Sequence, residues 1–212
     1  MVVERDERTT DDLEQVAAEV GVCPKCELAR TRTKAVPGEG QPRARVMLIG
    51  EGPGWHEDQQ GRPFVGNAGK FLNELLAKAG LRREDVFITN VVKCRPPGNR
   101  DPLPDEIAAC APYLERQIAA IDPEIIVTLG RFSMARWFAG ERISKIHGQP
   151  KRDGKRLIVP MYHPAAALHQ SALRGAIEED FAKLPKILAE AEREREVATE
   201  RAKPPSEQMT LF

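Results

Sequence analysis

The stretch RVMLIGEGPGWHEDQQGRPFVGNAGKFLNELLAKAG, Arg45–Gly80, decides the fold. It opens on an apolar run, Arg45–Ile49, that reads as a buried strand. It closes on Lys70–Gly80, which reads as a helix with Gly80 as its C-terminal stop. Between them, Gly50–Gly69 holds six glycines, two prolines and three acidic side chains in twenty residues. Strand, bare-backbone loop and helix follow one another directly, and the same alternation continues downstream.

Val86–Val92 is rich in β-branched residues and predicts a second strand. Pro104–Ile121 predicts a helix with proline near its start. Glu124–Gly130 predicts a third strand and Arg131–Phe138 a short helix. Arg156–Tyr162 predicts a fourth strand, whose Pro160 calls for an edge position or a bulge. From Ala176 to about Glu200 a long helix turns Phe181, Leu184, Ile187 and Leu188 inward, and Pro185 should kink or break it. Upstream, Thr10-Asp11-Asp12 predicts the cap of a helix running to about Glu19, with Leu13, Val16 and Ala17 at helical spacing. Strands that are apolar throughout, alternating with helices, predict α/β architecture: a parallel sheet of four strands covered on both faces. Residues 1–200 are expected to form one domain and 201–212 a disordered tail. In such folds the ligand site lies at the carboxyl ends of the strands. Gly50–Gly69, Asn90–Arg100, Gly130–Arg131 and His163–Leu168 all fall there.

The 212 residues carry 32 Lys and Arg against 32 Asp and Glu, so net charge selects no partner. Its distribution says more. Gly130–Arg156 contains eight basic and two acidic residues, and Lys93–Arg100 three basic residues and no acid. A basic middle fits a phosphate-bearing partner, and equally a solvated charged face. No apolar run approaches a membrane span, and MVVERDERTT is too charged for a signal peptide. A cytoplasmic monomer is expected, and in that compartment thiols stay reduced. All four cysteines are therefore candidate ligands: the C-x2-C pair Cys23 and Cys26 in a loop-like context, then Cys94 and Cys110. Zinc and a [4Fe–4S] cluster are both compatible with four thiolates, and spacing alone does not choose between them.

Among the loop residues, glycines at 50, 52 and 54 let the backbone approach a ligand closely. The lysine of a phosphate-binding loop is missing, and Glu51, Glu57 and Asp58 would repel phosphate. Acids there suit general-base work or stabilisation of a developing cation. Phe64, flanked by Pro63 and Gly66, can present a stacking surface. Asn90, at the end of the second strand, can read the edge of a base or simply cap a turn. A lone histidine is more often structural than catalytic, but His163 follows the fourth strand, and that position strengthens the case for chemistry.

Together, GEGPG…ED…GRPFVGNAG, then TNVVKCRPPGNR, then HPAAAL, plus the four cysteines, resemble the family 4 uracil-DNA glycosylases, the iron–sulfur class. The resemblance runs from about Val22 to Arg174. It implies a three-layer α/β/α sandwich around a four-stranded parallel sheet, and a [4Fe–4S] cluster on Cys23, Cys26, Cys94 and Cys110. It implies removal of uracil from DNA after the nucleotide is flipped out of the stack. Phe64 would stack on uracil, Asn90 pair with its O4/N3 edge, and the backbone near Gly52 contact the ring. Glu57 would crowd C5, and His163 donate to O2 as the glycosidic bond breaks. Glu51, Glu57 and Asn99 are the candidates for orienting the water, an acid from the loop being favoured. Leu168 is the candidate wedge into the duplex. Lys93, Arg95, Arg100, Arg131 and Arg174 are the candidate phosphate contacts. The segment CRPPGNRDPLP lacks the histidine on which one related class forms a covalent adduct, so turnover is expected. Gln208-Met-Thr-Leu-Phe212 resembles the bacterial sliding-clamp peptide, with Gln208, Met209, Leu211 and Phe212 as its contacts.

Overall fold

The computed structural model describes residues 2–202, with side chains described for 12–195. Six strands form one sheet: β1 (Glu39–Gly40), β2 (Val46–Gly50), β3 (Phe87–Asn90), β4 (Ile125–Leu129), β5 (Lys151–Asp153) and β6 (Arg156–Met161). Their order is β1-β3-β2-β4-β6-β5. The middle four run parallel, and each outer strand is antiparallel to its neighbour. The expected parallel core is therefore present, extended at each edge by a strand of two or three residues.

The helices are α1 (Val2–Val22), α2 (Leu28–Thr31), α3 (Trp55–Gln60), α4 (Asn67–Lys78), α5 (Pro104–Ile121), α6 (Arg131–Met134), α7 (Ile143–Ile146), α8 (Pro164–His169), α9 (Leu173–Ala182) and α10 (Leu184–Ala202). Alternate strand residues feed two separate cores, as the pleat demands. Met47, Ile49, Ile126 and Ile158 pack with Val16 and Val20 of α1 and Leu114 and Ile118 of α5. Val46, Leu48, Ile88, Val127 and Val159 pack with Phe71, Leu72 and Leu75 of α4 and Ile177 and Phe181 of α9. The result is three layers, helix on sheet on helix. Among the described residues, no helix is long and apolar enough to cross a membrane.

Two expectations, at Thr10-Asp11-Asp12 and at Pro160, are altered in the structure for physical reasons, and one, at Pro185, is met. Thr10-Asp11-Asp12 lie inside α1 rather than at its start. Cap-competent residues are tolerated there because the helix is held by tertiary packing of its Val16–Val20 face, not by local propensity. Pro185 does break the long C-terminal helix: α9 ends at Ala182, and α10 restarts at Leu184 with the proline in its first turn, where no donor is needed. Pro160 is not on an edge strand, since β6 has neighbours on both sides. However, β5 reaches along β6 only as far as Ile158. Met161 turns its carbonyl toward Gly130, after β4, while Pro160 turns its carbonyl away to accept the Gly148 N–H at 2.8 Å. The missing proline donor thus faces the side on which the ladder has already ended.

Candidate active site

At the carboxyl ends of β2, β3 and β6 a cavity of about 330 Å³ opens. Its floor is set by register. Gly50, the last residue of β2, lies beside Asn90, the last of β3. A methyl group on Gly50 would sit 2.4 Å from Asn90 Oδ1 and 2.8 Å from the Phe64 ring. Glycine is therefore needed for the amide and the aromatic ring to meet over the same backbone atom. Pairing continues past β3, with Val91 N–H donating to Gly50 O (3.0 Å) and Val92 N–H to Glu51 O (3.1 Å). That fixes the chain at Glu51 and Gly52 along the cavity wall.

Phe64 is held in the left-handed region at φ 50°. Its main chain lies against Gly69 of α4, where a Cβ would come within 1.9 Å of Phe64 O. The strained residue and the helix therefore dock backbone to backbone, and the ring is pushed into the cavity. It stacks near His163, with ring centroids 5.4 Å apart and planes inclined by 27°.

Asn90 is 1% exposed, and its Oδ1 has no hydrogen-bond partner. An unmet buried carbonyl costs about 1–3 kcal/mol, so this atom calls for an N–H donor from a ligand. His163 caps α8, its Nδ1 accepting the Ala165 N–H at 3.1 Å. Burial pulls the imidazolium down to about 4, opposed only by the Glu57 carboxylate. The ring is thus neutral at neutral pH. With Nδ1 occupied as an acceptor, the proton resides on Nε2. The cavity is therefore lined by a neutral hydrogen-bond donor.

The two loop acids have different surroundings. Glu57 lies in the first turn of α3 and faces three backbone donors. Its Oε1 accepts Val65 N–H and Gly66 N–H, each at 2.8 Å, and its Oε2 accepts Gly54 N–H at 3.1 Å. Those bonds tie both ends of the loop to α3 and leave little of the carboxylate for a water. Glu51 accepts no side-chain hydrogen bond among the described contacts. Burial and the nearby Asp101 carboxylate raise its carboxyl above the ordinary range, and Arg131 opposes them. Asn99, at φ 55°, lines the mouth, and its Oδ1 accepts Arg95 Nε at 2.7 Å. Asp58 faces away from the site: it is buried and accepts the Thr33 N–H at 2.9 Å.

The residues picked as phosphate contacts do not behave alike. Arg131 is 65% exposed and pairs with Asp101 beside the cavity. Arg100 lines the cavity and is braced by the buried Glu106 at 2.9 and 2.7 Å. Arg174 lies over the Phe71 ring and pairs with Glu74 and Glu178. Leu168 protrudes, 51% exposed, from α8. Lys93 is a correction: its side chain is 1% exposed, with the amine turned inward. A phosphate cannot reach it, because the run of polar neighbours that looked like surface folds under β3. Sequence reasoning also passed over the roles of Glu106 and of α3, whose only signal is an acid three residues after Gly54. Residues 208–212 lie outside the described residues.

The four cysteines, none in a disulfide, ring one small cavity between the end of α1, the segment after β3 and the first half of α5. Arg32 Nη1 donates to Cys94 Sγ at 3.2 Å and Lys93 N–H to Cys110 Sγ at 3.3 Å. Arg32 also donates to the carbonyls of Gly21 and Cys23, pinning the C-x2-C loop. Among the described residues, no three Cys, His, Asp or Glu side chains converge on a single ion.

The three-layer α/β/α fold thus holds, at the carboxyl edge of its parallel strands, a cavity that joins an aromatic face, an unmet amide oxygen and a neutral hydrogen-bond donor. The model of the uracil DNA glycosylase superfamily matches residues 37–189, and the chain belongs to that superfamily. The type-4 uracil-DNA glycosylase of Sulfurisphaera tokodaii is 54% identical over 187 residues, covering 84% of this chain and 85% of that protein. That of Saccharolobus solfataricus is 51% identical over 189 residues, covering 84% and 88%. That of Thermotoga maritima is 44% identical over 181 residues, covering 82% and 94%.

Proposed function

We infer that this chain is a monofunctional uracil-DNA glycosylase: it hydrolyses the N-glycosidic bond of a flipped deoxyuridine and leaves an abasic site. The observation that carries this reading is the orphaned Asn90 Oδ1 in the same cavity as a neutral His163. Uracil N3–H is the donor that Oδ1 lacks, and the amide N–H of Asn90 suits O4. Cytosine presents an unprotonated N3 and an amino group at these positions, and so offers the opposite pattern. Phe64 supplies a ring face for the base, and Glu57 holds the loop that shapes the C5 side.

When the C1′–N1 bond breaks, its electron pair goes to the base and negative charge develops on O2. The Nε2–H of His163 donates to that oxygen. A neutral imidazole serves because the interaction strengthens as charge appears, and such a donor contributes about 3–4 kcal/mol. We assign the water to Glu51, whose carboxylate is uncommitted and partly desolvated. It orients the water toward C1′ and takes its proton as the C–O bond forms. Asn99 sits where it can assist by holding Arg95 at the mouth. We assign phosphate contacts to Arg95, Arg100 and Arg131, and to the exposed Leu168 the gap left by the flipped nucleotide.

We read Cys23, Cys26, Cys94 and Cys110 as ligands of a [4Fe–4S] cluster. The donor set fits: four thiols ring one small cavity, and two of them accept N–H donors. Its contribution would be structural, joining the end of α1 to the segment after β3. The unpaired thiols suit a reducing compartment such as the cytoplasm. The C-terminal Gln208–Phe212 peptide is proposed, on resemblance alone, to dock on a sliding clamp.

Uracil release from a single-uracil duplex tests the enzyme reading, with a thymine duplex as control and His163→Ala and Phe64→Ala alongside. Release confined to uracil and strongly reduced in both variants is expected. Tight DNA binding without release by the unaltered chain would leave only a binding module.

A further inference from the structure

Lys93 is among the largest fully buried side chains in the molecule, yet no carboxylate faces its amine. Burying an ammonium is costly, and the charge that opposes the cost here is the Cys110 sulfur rather than a carboxylate. Here all three of its protons are used, each on a neutral oxygen: Thr89 Oγ1 at 2.5 Å, Gln117 Oε1 at 2.7 Å and the main-chain carbonyl of Asn90 at 2.9 Å. The acceptors are themselves anchored. Thr89 Oγ1–H donates to Pro37 O at 3.0 Å, and Gln117 Nε2–H to the same carbonyl at 2.7 Å. The main chain of Lys93 is fixed too, its carbonyl accepting Val36 N–H at 2.7 Å and its N–H donating to Cys110 Sγ at 3.3 Å.

The one acceptor that belongs to the base-reading pocket is Asn90 O. Asn90 is the last residue of β3: pairing with β2 runs on past it through Val91 and Val92, while β1 pairs only with Phe87 and Ile88, so on that side the ladder ends before Asn90. Its side-chain oxygen is held in place by no bond of its own. The ammonium on the adjacent carbonyl fixes the backbone from which that side chain projects.

We propose that Lys93 is a positioning residue for uracil recognition, clamping the Asn90 carbonyl from beneath the sheet so that the amide above it meets the base edge. The proposal rests on the uracil-pocket reading of Asn90. It gives Lys93 no contact with DNA or base. It also joins two parts of the fold that sequence keeps apart, because the residue that clamps Asn90 is the one whose N–H donates to Cys110.

Lys93→Met keeps the volume and removes all three donors. It is measured in the full-length chain for uracil release at saturating enzyme, inhibition by free uracil, affinity for an undamaged duplex, and visible absorption of the cluster. The expected result is a loss of about 10- to 100-fold in release rate, corresponding to one charge-assisted hydrogen bond. Affinity for free uracil should fall in parallel, while undamaged-duplex affinity and absorption stay within about twofold of the unaltered chain. Unchanged release and inhibition would overturn the proposal, as would a duplex affinity that falls as far as the rate. Should Lys93→Met not fold, Thr89→Val removes one anchor of the ammonium and should weaken free-uracil binding several-fold, with Thr89→Ser restoring it. Thr89→Val and Thr89→Ser binding uracil equally well would count against the clamp. Asn90→Ala separates the two readings. If the unaltered chain releases uracil and Asn90→Ala does not, the pocket stands, and only Lys93 is at issue in the other variants. No release by the unaltered chain would take both readings down.

Discussion

Glu51 and Glu57 stand six residues apart in one loop, and their surroundings predict opposite consequences of losing the charge. Glu57 holds three backbone N–H groups at 2.8, 2.8 and 3.1 Å. At about 1 kcal/mol for each bond, the central value for a protein hydrogen bond, Glu57→Ala should cost about 3 kcal/mol. For a chain of this size that lowers the midpoint of thermal unfolding by about 6–12 °C. Glu57→Gln keeps one acceptor oxygen, and so the Val65 and Gly66 contacts, and should cost roughly a third as much. Its release rate should remain within about tenfold of the unaltered chain. The Glu51 side chain has no hydrogen bond to lose among the described residues, and burial with Asp101 already disfavours its charge. The sign follows from linkage. An acid whose folded pKa is raised destabilises the fold once pH exceeds the unfolded value, so Glu51→Gln should unfold at the same temperature or higher at pH 7–8. Its single-turnover uracil release should fall by about 10²–10⁴. Circular-dichroism melts and quenched-flow release on the same protein batches decide the matter. A Glu51→Gln chain as fast as the unaltered one, beside a Glu57→Gln chain slowed a hundredfold at unchanged melting temperature, would refute the assignment.

Two further outcomes follow from the cavity. Folded His163 titrates near 4, below the 6.5 of an ordinary histidine. Its contribution to stability is therefore whole above about pH 6.5 and is lost as pH falls toward 4. His163→Ala should flatten that part of a stability-versus-pH curve and slow release by about 10²–10³ at neutral pH, while in the unaltered chain acid alone slows release. Gly50→Ala places a methyl 2.4 Å from Asn90 Oδ1. It should remove inhibition by free uracil and cost about 1–3 kcal/mol of stability, with undamaged-duplex binding kept, as a gel-shift and melting series would show.

The central strands were legible because each is apolar on both faces: VMLIG, FITN, IIVTL and LIVPM carry the signal of a sheet covered on two sides. The edge strands were not, since Glu39–Gly40 and Lys151–Asp153 bury almost nothing and leave no hydrophobic pattern. Asn90 and His163 are legible by residue type at strand ends and Phe64 by its proline and glycine flanks within the loop, and the structure brings all three to one cavity. The ranking of Glu51 against Glu57 could not be read, because it depends on which backbone amides face which carboxylate, and helix α3 is hidden among glycines. Lys93 misled for a related reason. A lysine between Val92 and Cys94, followed by Arg95 and two prolines, reads as surface, and only tertiary structure supplies the three oxygens that let it go under the sheet.

The short outer strands also bear on how the molecule behaves in company. An open sheet edge is a template on which another chain can add a strand. On one side that template is two residues long, Glu39–Gly40, and on the other it is Lys151-Arg152-Asp153, fully exposed and charged at every position. An intruding strand would gain few hydrogen bonds at either edge and at the second would have to lie against three charges. During folding, when four buried parallel strands must find one another across long stretches of chain, these two edges discourage sheet-to-sheet aggregation.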